Sequence, residues 1–402
     1  MGSPVPVFSK KRLLLLAACQ AIGQAGNTMM FAATALSVVT FMEVRDLATL
    51  PVTMQHLGVM LSVFPAAMAM QRLGRRWGFR LGSVFGMVGA VCCGVGLWTA
   101  TFWLMCVGGL ILGYAVANLQ MYRFAAVELA PPVMRPVAIS WVTAGGIAAG
   151  FIGPAVARWT HDIWMPLYIG TFGAMVLVHV IVFVIISFID FPPYRPEPVE
   201  GRPEEPARPL WEIAAQPRFF VAAIAGMIAY GTMSFLMSAS PLAIVGCGLP
   251  HTEAHWVIFL HVMGMFVPSL FTGNLIRRFG VTTIMLWGIV GLLAGIVAGL
   301  SGLTEWHFRI ALMLNGVGWN FLFIGATTMV TMTYRPAERG KAQALNDFLV
   351  FGTTATASFL AGFLQEHLGW FTLNWFSVVL VAVAVVAVGW LQLASRRAVP
   401  AE

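Results

Sequence analysis

Residues 190–217 read DFPPYRPEPVEGRPEEPARPLWEIAAQP, with prolines at 192, 193, 196, 198, 203, 206, 209 and 217. Proline at that density among charges supports neither a packed core nor a helix, because each ring removes a backbone donor and crowds the preceding turn. The stretch is therefore read as a linker. On either side of it lie long apolar runs, each near the roughly 20 residues that cross a bilayer. Twelve spans are expected: 12–40, 51–71, 79–100, 102–127, 136–158 and 164–189 before the linker, and 218–245, 253–275, 280–302, 306–331, 342–365 and 370–394 after it.

Composition agrees with a chain immersed in lipid. Of 402 residues, 59% are hydrophobic and 10% charged, with a mean hydropathy of +0.84. A soluble domain carries about 25% charged residues, so this chain cannot cover a water-facing surface and is not a soluble globular enzyme. The net charge of +7 would suggest nucleic acid on a soluble protein. Here topology accounts for it, since Lys and Arg collect in cytoplasmic loops. Only Arg45, Arg158 and Arg309 fall on one side, which places both termini and the linker in the cytoplasm. No nucleic-acid partner is expected; the surrounding partner is the lipid bilayer. The apolar run after Lys10-Lys11-Arg12 continues to about Met42, too long for a signal peptide, and reads as a retained first helix. Five cysteines in or near the spans (Cys19, Cys92, Cys93, Cys106, Cys247) do not make a disulfide framework.

The two halves repeat. Arg72, Gly74, Arg75, Arg76 and Gly78 follow the second span; Gly273, Arg277, Arg278 and Gly280 follow the eighth, and Pro65 and Pro268 lie upstream. Pro132-Val-Met-Arg135 and Pro336-Ala-Glu-Arg339 stand 204 positions apart, about half the chain. The expected organisation is an N-terminal six-helix half (1–189), a cytoplasmic Pro-rich linker (190–217) and a C-terminal six-helix half (218–402). Two parallel six-helix repeats resemble the major facilitator superfamily. The Arg72–Arg76 loop resembles its motif Gly-x-Leu-x-Asp-Arg-x-Gly-Arg-Arg, with Ala67 in place of the glycine and Gln71 in place of the aspartate. The fold class implied is an all-α polytopic membrane protein of twelve transmembrane helices.

A secondary transporter, not an enzyme, follows from what the spans hold. Gly340-Lys341 lacks the upstream glycine spacing of a phosphate loop, and the acids lie almost wholly in loops. Asp347 is the one acid more than a turn inside a span. It has two readings, a proton-coupling group or a structural or gating ion pair with an arginine such as Arg72 or Arg75. Asn315 and Asn320 face a cavity or bond neighbouring helices. Pro241 frees a carbonyl within the seventh span.

Soft side chains suggest a cargo. Met233-x-x-x-Met237 and His261-x-x-x-Met265 each place two side chains on one helical face. Counting from the span ends puts Met233 and His261 at nearly matching depth on consecutive antiparallel helices. Thioether and imidazole at mid-membrane suit Cu(I). Met233, His261, Met237 and Met265 are thus the expected metal ligands, and Cys247, His56 and Met60 a possible relay. Ordinary packing is the alternative for the methionines, and a bond to a backbone carbonyl for His261.

Gly318-Trp-Asn-Phe-Leu-Phe323, Gly325-Ala-Thr-Thr328 and Gln343-Ala-Leu-Asn-Asp-Phe348 resemble a bacterial branch of the superfamily. With the paired Met and His motifs, the chain is similar to that branch's CcoA-like copper importers. The resemblance implies an inner-membrane importer supplying copper for cbb3-type cytochrome oxidase, with a cytoplasmic thiol as acceptor. Copper is cargo there, and no resident cofactor is expected. Relatives in the branch carry riboflavin or other organic compounds, which is the second reading. The 14 Trp and 29 Phe provide ample lining for a flat-ring pocket. A non-transporting metal sensor or assembly partner is the third.

Overall fold

The computed structural model describes residues 10–42, 45–130, 135–191, 208–335 and 338–397. Among these there is no strand. Each expected span is largely helical. They are α1 (Lys10–Val38), α2 (Leu50–Leu73), α3 (Arg75–Trp98), α4 (Phe102–Glu128), α5 (Arg135–Thr160), α6 (Ile169–Ser187), a short α7 (Leu210–Ala214), α8 (Pro217–Gly246), α9 (His251–Phe266), α10 (Ser269–Phe279), α11 (Val281–Leu300), α12 (Glu305–Thr331) and α13 (Arg339–Arg397). Nine helical segments among the described residues are long and apolar enough to cross a membrane by length and composition. One of them, within α13, supplies both final spans.

Three boundaries depart from expectation. The eighth span divides into α9 and α10 at Val267–Pro268, where proline offers no N–H to continue the ladder. The eleventh and twelfth spans run on as α13, turned only at Gly369, whose φ of 72° needs a residue without Cβ. The linker read as wholly non-helical holds α7, because residues 210–216 are free of proline. Most of that linker, 192–207, lies outside the described residues.

The repeat is visible in backbone geometry. Gly74 (φ 83°, ψ 161°) and Gly280 (φ 84°, ψ 154°) occupy equivalent turns before α3 and α11. Helices α4 and α12 are both 27 residues long.

The chain divides into two compact units, Met1–Val44 with Leu50–Glu197, and Arg45–Thr49 with Pro198–Glu402. In the first, α1 packs on α5 and α6, α4 on α2 and α3, and α3 on α6. Its basic loop is tied down from two directions. Arg75 makes a forked contact with Glu128 at the end of α4 (2.6 and 3.1 Å), and Arg76 reaches Asp190 and the Ile189 carbonyl after α6. Glu128 is therefore the carboxylate that holds Arg75. Arg72 is exposed.

In the second unit α8 packs on α13 and α12, while α9 and α11 pack on α12. The short Arg45–Thr49 segment belongs here: Thr49 donates to the Ser358 carbonyl (2.9 Å) and Asp46 meets His367 (2.9 Å). Below α12, Arg208 grips Glu338 through its guanidinium (2.7 and 2.8 Å) and its own backbone N–H (2.8 Å). That guanidinium also holds the Glu338 carboxyl well below the usual carboxylate range, against the opposing effect of burial. Lys341 and Gln216 close the clamp on the Arg208 and Thr333 carbonyls.

Candidate functional site

Helix α12 organises the second unit, and glycines set how closely α9 approaches it. A Cβ on Gly264 would strike the Met313 carbonyl, and one on Gly316 the His261 carbonyl and the Met265 amide (2.9 Å). The two backbones therefore touch, which small residues permit between membrane helices. At that crossing His261 is fully buried, and its Nδ1 donates to the Leu312 carbonyl (2.8 Å). A carbonyl only accepts, so Nδ1 carries the proton and Nε2 keeps a lone pair. Among the described residues Nε2 has no hydrogen-bond partner.

Around the next turns of α12 four elements bring aromatic rings together. Tyr230 of α8 lies edge-on to Trp319 and Phe323 of α12, at 5.2 and 4.7 Å between centroids, and to Phe351 of α13 at 5.5 Å. Trp319 and Phe323 stack on each other at 5.2 Å, and Phe266 of α9 approaches Trp319 at 6.5 Å. Five rings at these spacings form an apolar, polarisable surface with the geometry aromatic pairs prefer. Trp319 is 6% exposed, and its indole N–H has no acceptor. One turn back on the same face, Asn315 is buried with neither amide atom paired. Asn320, on another face, is fully used: it donates to the Met265 carbonyl and to Ser269 and accepts from Thr272.

The expected ligands fall around this surface in a different register. The hairpin between Gly246 and His251 mirrors Met237 onto the level of His261, and Met233 onto that of Met265. The Tyr230 contacts with Trp319 and Phe323 give the same pairing across α12. Met233 is thus about four residues, roughly 6 Å along the axis, from the level of His261. Counting from the turn, rather than from the span ends, brings Met237 nearest the level of His261. Tyr230, Met233, Ser234 and Met237 share one face of α8, buried apart from Tyr230, which is half-buried. The carbonyl freed by Pro241 is that of Met237, and Ser240 donates to it (3.1 Å), so the helix stays closed there.

Among the described residues no three His, Cys, Asp or Glu side chains lie together as a metal site. Cys247, after α8, is exposed at its surface, and partial burial holds its thiol above the ordinary value. In the first unit His56 is buried beside Phe31, with centroids 5.6 Å apart, and Met60 is half-buried on the same helix. Asp347 accepts from Asn346 at 3.1 Å. The aromatic cluster was the feature that sequence reading passed over. Its one visible signal was the Trp319-x-x-x-Phe323 spacing inside a quoted motif.

The profile of the Major Facilitator Superfamily matches residues 13–246 and 222–402, together nearly the whole chain. The chain belongs to this superfamily. It is a multi-pass membrane protein with a transporter fold. It is 38% identical over 379 residues to the riboflavin transporter RfnT of Brucella anthropi, covering 94% of this chain and 95% of that one. It is 26% identical to the uncharacterised transporter YddS of Bacillus subtilis, covering 95% and 91%. The solved structure of a D-xylose–proton symporter superposes with a TM-score of 0.73 at 13% identity, covering 94% and 97%, which speaks for the fold alone. Copper appears in none of these relatives' names.

Proposed function

We propose that the chain carries a flat aromatic organic compound of the riboflavin class inward across the bacterial inner membrane, with both termini cytoplasmic. The observation that carries this reading is the ring cluster of Tyr230, Phe266, Trp319, Phe323 and Phe351. It supplies an aromatic wall that copper has no use for and that a tricyclic ring stacks on. The likeness to a riboflavin transporter over almost the full length of both chains supports the same choice. Met233 and Met237 then belong to the apolar wall beside the rings, where thioethers make favourable contacts with aromatic faces. The orientation is argued from the basic residues.

The test is uptake of labelled riboflavin and of radiocopper, side by side, in cells with and without this gene. Riboflavin accumulation that depends on the gene is expected. Copper accumulation without riboflavin accumulation would overturn the reading and return Met233, Met237, His261 and Met265 to the role of ligands.

A further inference from the structure

Asn315 sits near the middle of α12, with no exposed surface and with neither Oδ1 nor Nδ2 paired. Unpaired amide atoms are costly in a protein interior and more so at mid-membrane, where water is scarce. The neighbouring asparagine shows what a structural role looks like: Asn320 makes three side-chain hydrogen bonds that fasten α12 to α9 and α10. Asn315 fastens nothing. It lies one turn from Trp319, on the same helical face, and the Trp319 ring is turned toward Tyr230 of α8. The indole N–H there is likewise unpaired and buried. Two consecutive turns of one face, the second carrying a ring of the cluster, therefore hold unpaired, buried hydrogen-bonding groups.

A carboxamide offers one acceptor and one donor side by side in a plane. Its complement is an N–H adjacent to a C=O in a planar ring. The pyrimidine portion of an isoalloxazine has this edge, an imide N–H flanked by two carbonyls, whereas its dimethylbenzene end and its ribityl chain do not.

We infer that Asn315 recognises the imide edge of the transported ring, taking its N–H on Oδ1 and giving Nδ2–H to a neighbouring carbonyl. The inference rests on the riboflavin-class reading and specifies how that site selects its substrate. Asn315 becomes a specificity residue: flat compounds without an N–H beside a carbonyl leave its amide unpaired and are rejected. A site that pairs a buried polar group discriminates strongly against analogues that cannot return the bond.

The experiment is competition against labelled riboflavin uptake in cells, with unlabelled riboflavin and its N3-methyl derivative as competitors. In the wild-type protein the methylated compound is expected to compete at least about tenfold more weakly, as loss of one buried hydrogen bond implies. In Asn315→Leu, or Asn315→Ala where the leucine variant fails to reach the membrane, riboflavin uptake falls and the gap between the two competitors closes. Amounts of protein are matched by immunoblot. Equal competition by both compounds in the wild type overturns the inference while leaving riboflavin transport standing, and so does a gap that survives in the variant. Absence of riboflavin uptake by the wild type removes the underlying reading, and the inference with it.

Discussion

The guanidinium of Arg208 forks onto the carboxylate of Glu338, and Glu338 has no exposed surface. This pair joins the end of the proline-rich linker to the turn between α12 and α13, the two helices that carry Asn315, Trp319 and Phe351. Removing one partner leaves the other charge buried and unmatched. Arg208→Ala should cost about 3 kcal/mol, the lower end for a broken buried pair because Arg208 keeps some contact with water. A lower melting temperature in detergent checks this; an unchanged one would mean the linker contributes nothing to the second unit.

The same pair predicts a pH profile. A carboxylate whose folded pKa lies below its ordinary value of 4.5 stabilises the fold fully above that value. The contribution fades as pH falls below that ordinary value and is gone below the lower folded one. From pH 5 to 8 the clamp is therefore constant. The difference in melting temperature between the wild type and Glu338→Gln should be flat across that range and shrink in stronger acid.

Trp319 is the hub of the ring cluster. Trp319→Phe retains a ring and should keep a substantial share of riboflavin uptake. Trp319→Ala removes contacts with three other rings, each pair worth about 0.5–1.5 kcal/mol, and should reduce uptake roughly tenfold or more at equal protein level. Wild-type uptake by the alanine variant would place the substrate elsewhere.

Metal removal separates the two cargo readings. Riboflavin uptake should be unaffected by a membrane-impermeant Cu(I) chelator, and Met233→Leu should retain most of it, since leucine conserves the apolar volume. Loss of uptake on chelation would show that a soft ion takes part.

Gly316 sets the spacing of α9 and α12. Gly316→Ala drives a methyl group into the His261 carbonyl, and overpacking of this kind costs about 1–3 kcal/mol. The melting temperature should fall by several degrees, and uptake per molecule should fall too, because α9 carries Phe266 and His261.

Orientation can be read with fusions. A reporter placed after Arg202 should report the cytoplasm and one placed after Leu249 the periplasm. The reverse pattern would invert the direction of transport.

Much of this protein is written in its sequence for a simple reason. Lipid demands that every spanning backbone group be paired within its own segment, so length and hydropathy alone determine that helices form and roughly where. The halves could be matched from Pro65 with Pro268 and Pro132 with Pro336, and Gly74 and Gly280 then share one backbone conformation. Sequence also singled out α8 and α9. Depth counted from span midpoints pairs Met233 with His261, whereas counting from the short hairpin pairs Met237 with His261. Tertiary structure alone decided which of two similar asparagines is spent on packing: Asn320 is surrounded by Met265, Ser269 and Thr272, and Asn315 by no partner. It alone chose Glu128 for Arg75 and Glu338 for Arg208, because ion pairs join residues distant in the chain. And it alone gathered Tyr230, Phe266, Trp319, Phe323 and Phe351, of which helical periodicity connects only Trp319 with Phe323, since convergence of side chains from four elements is a property of packing and not of order along the chain.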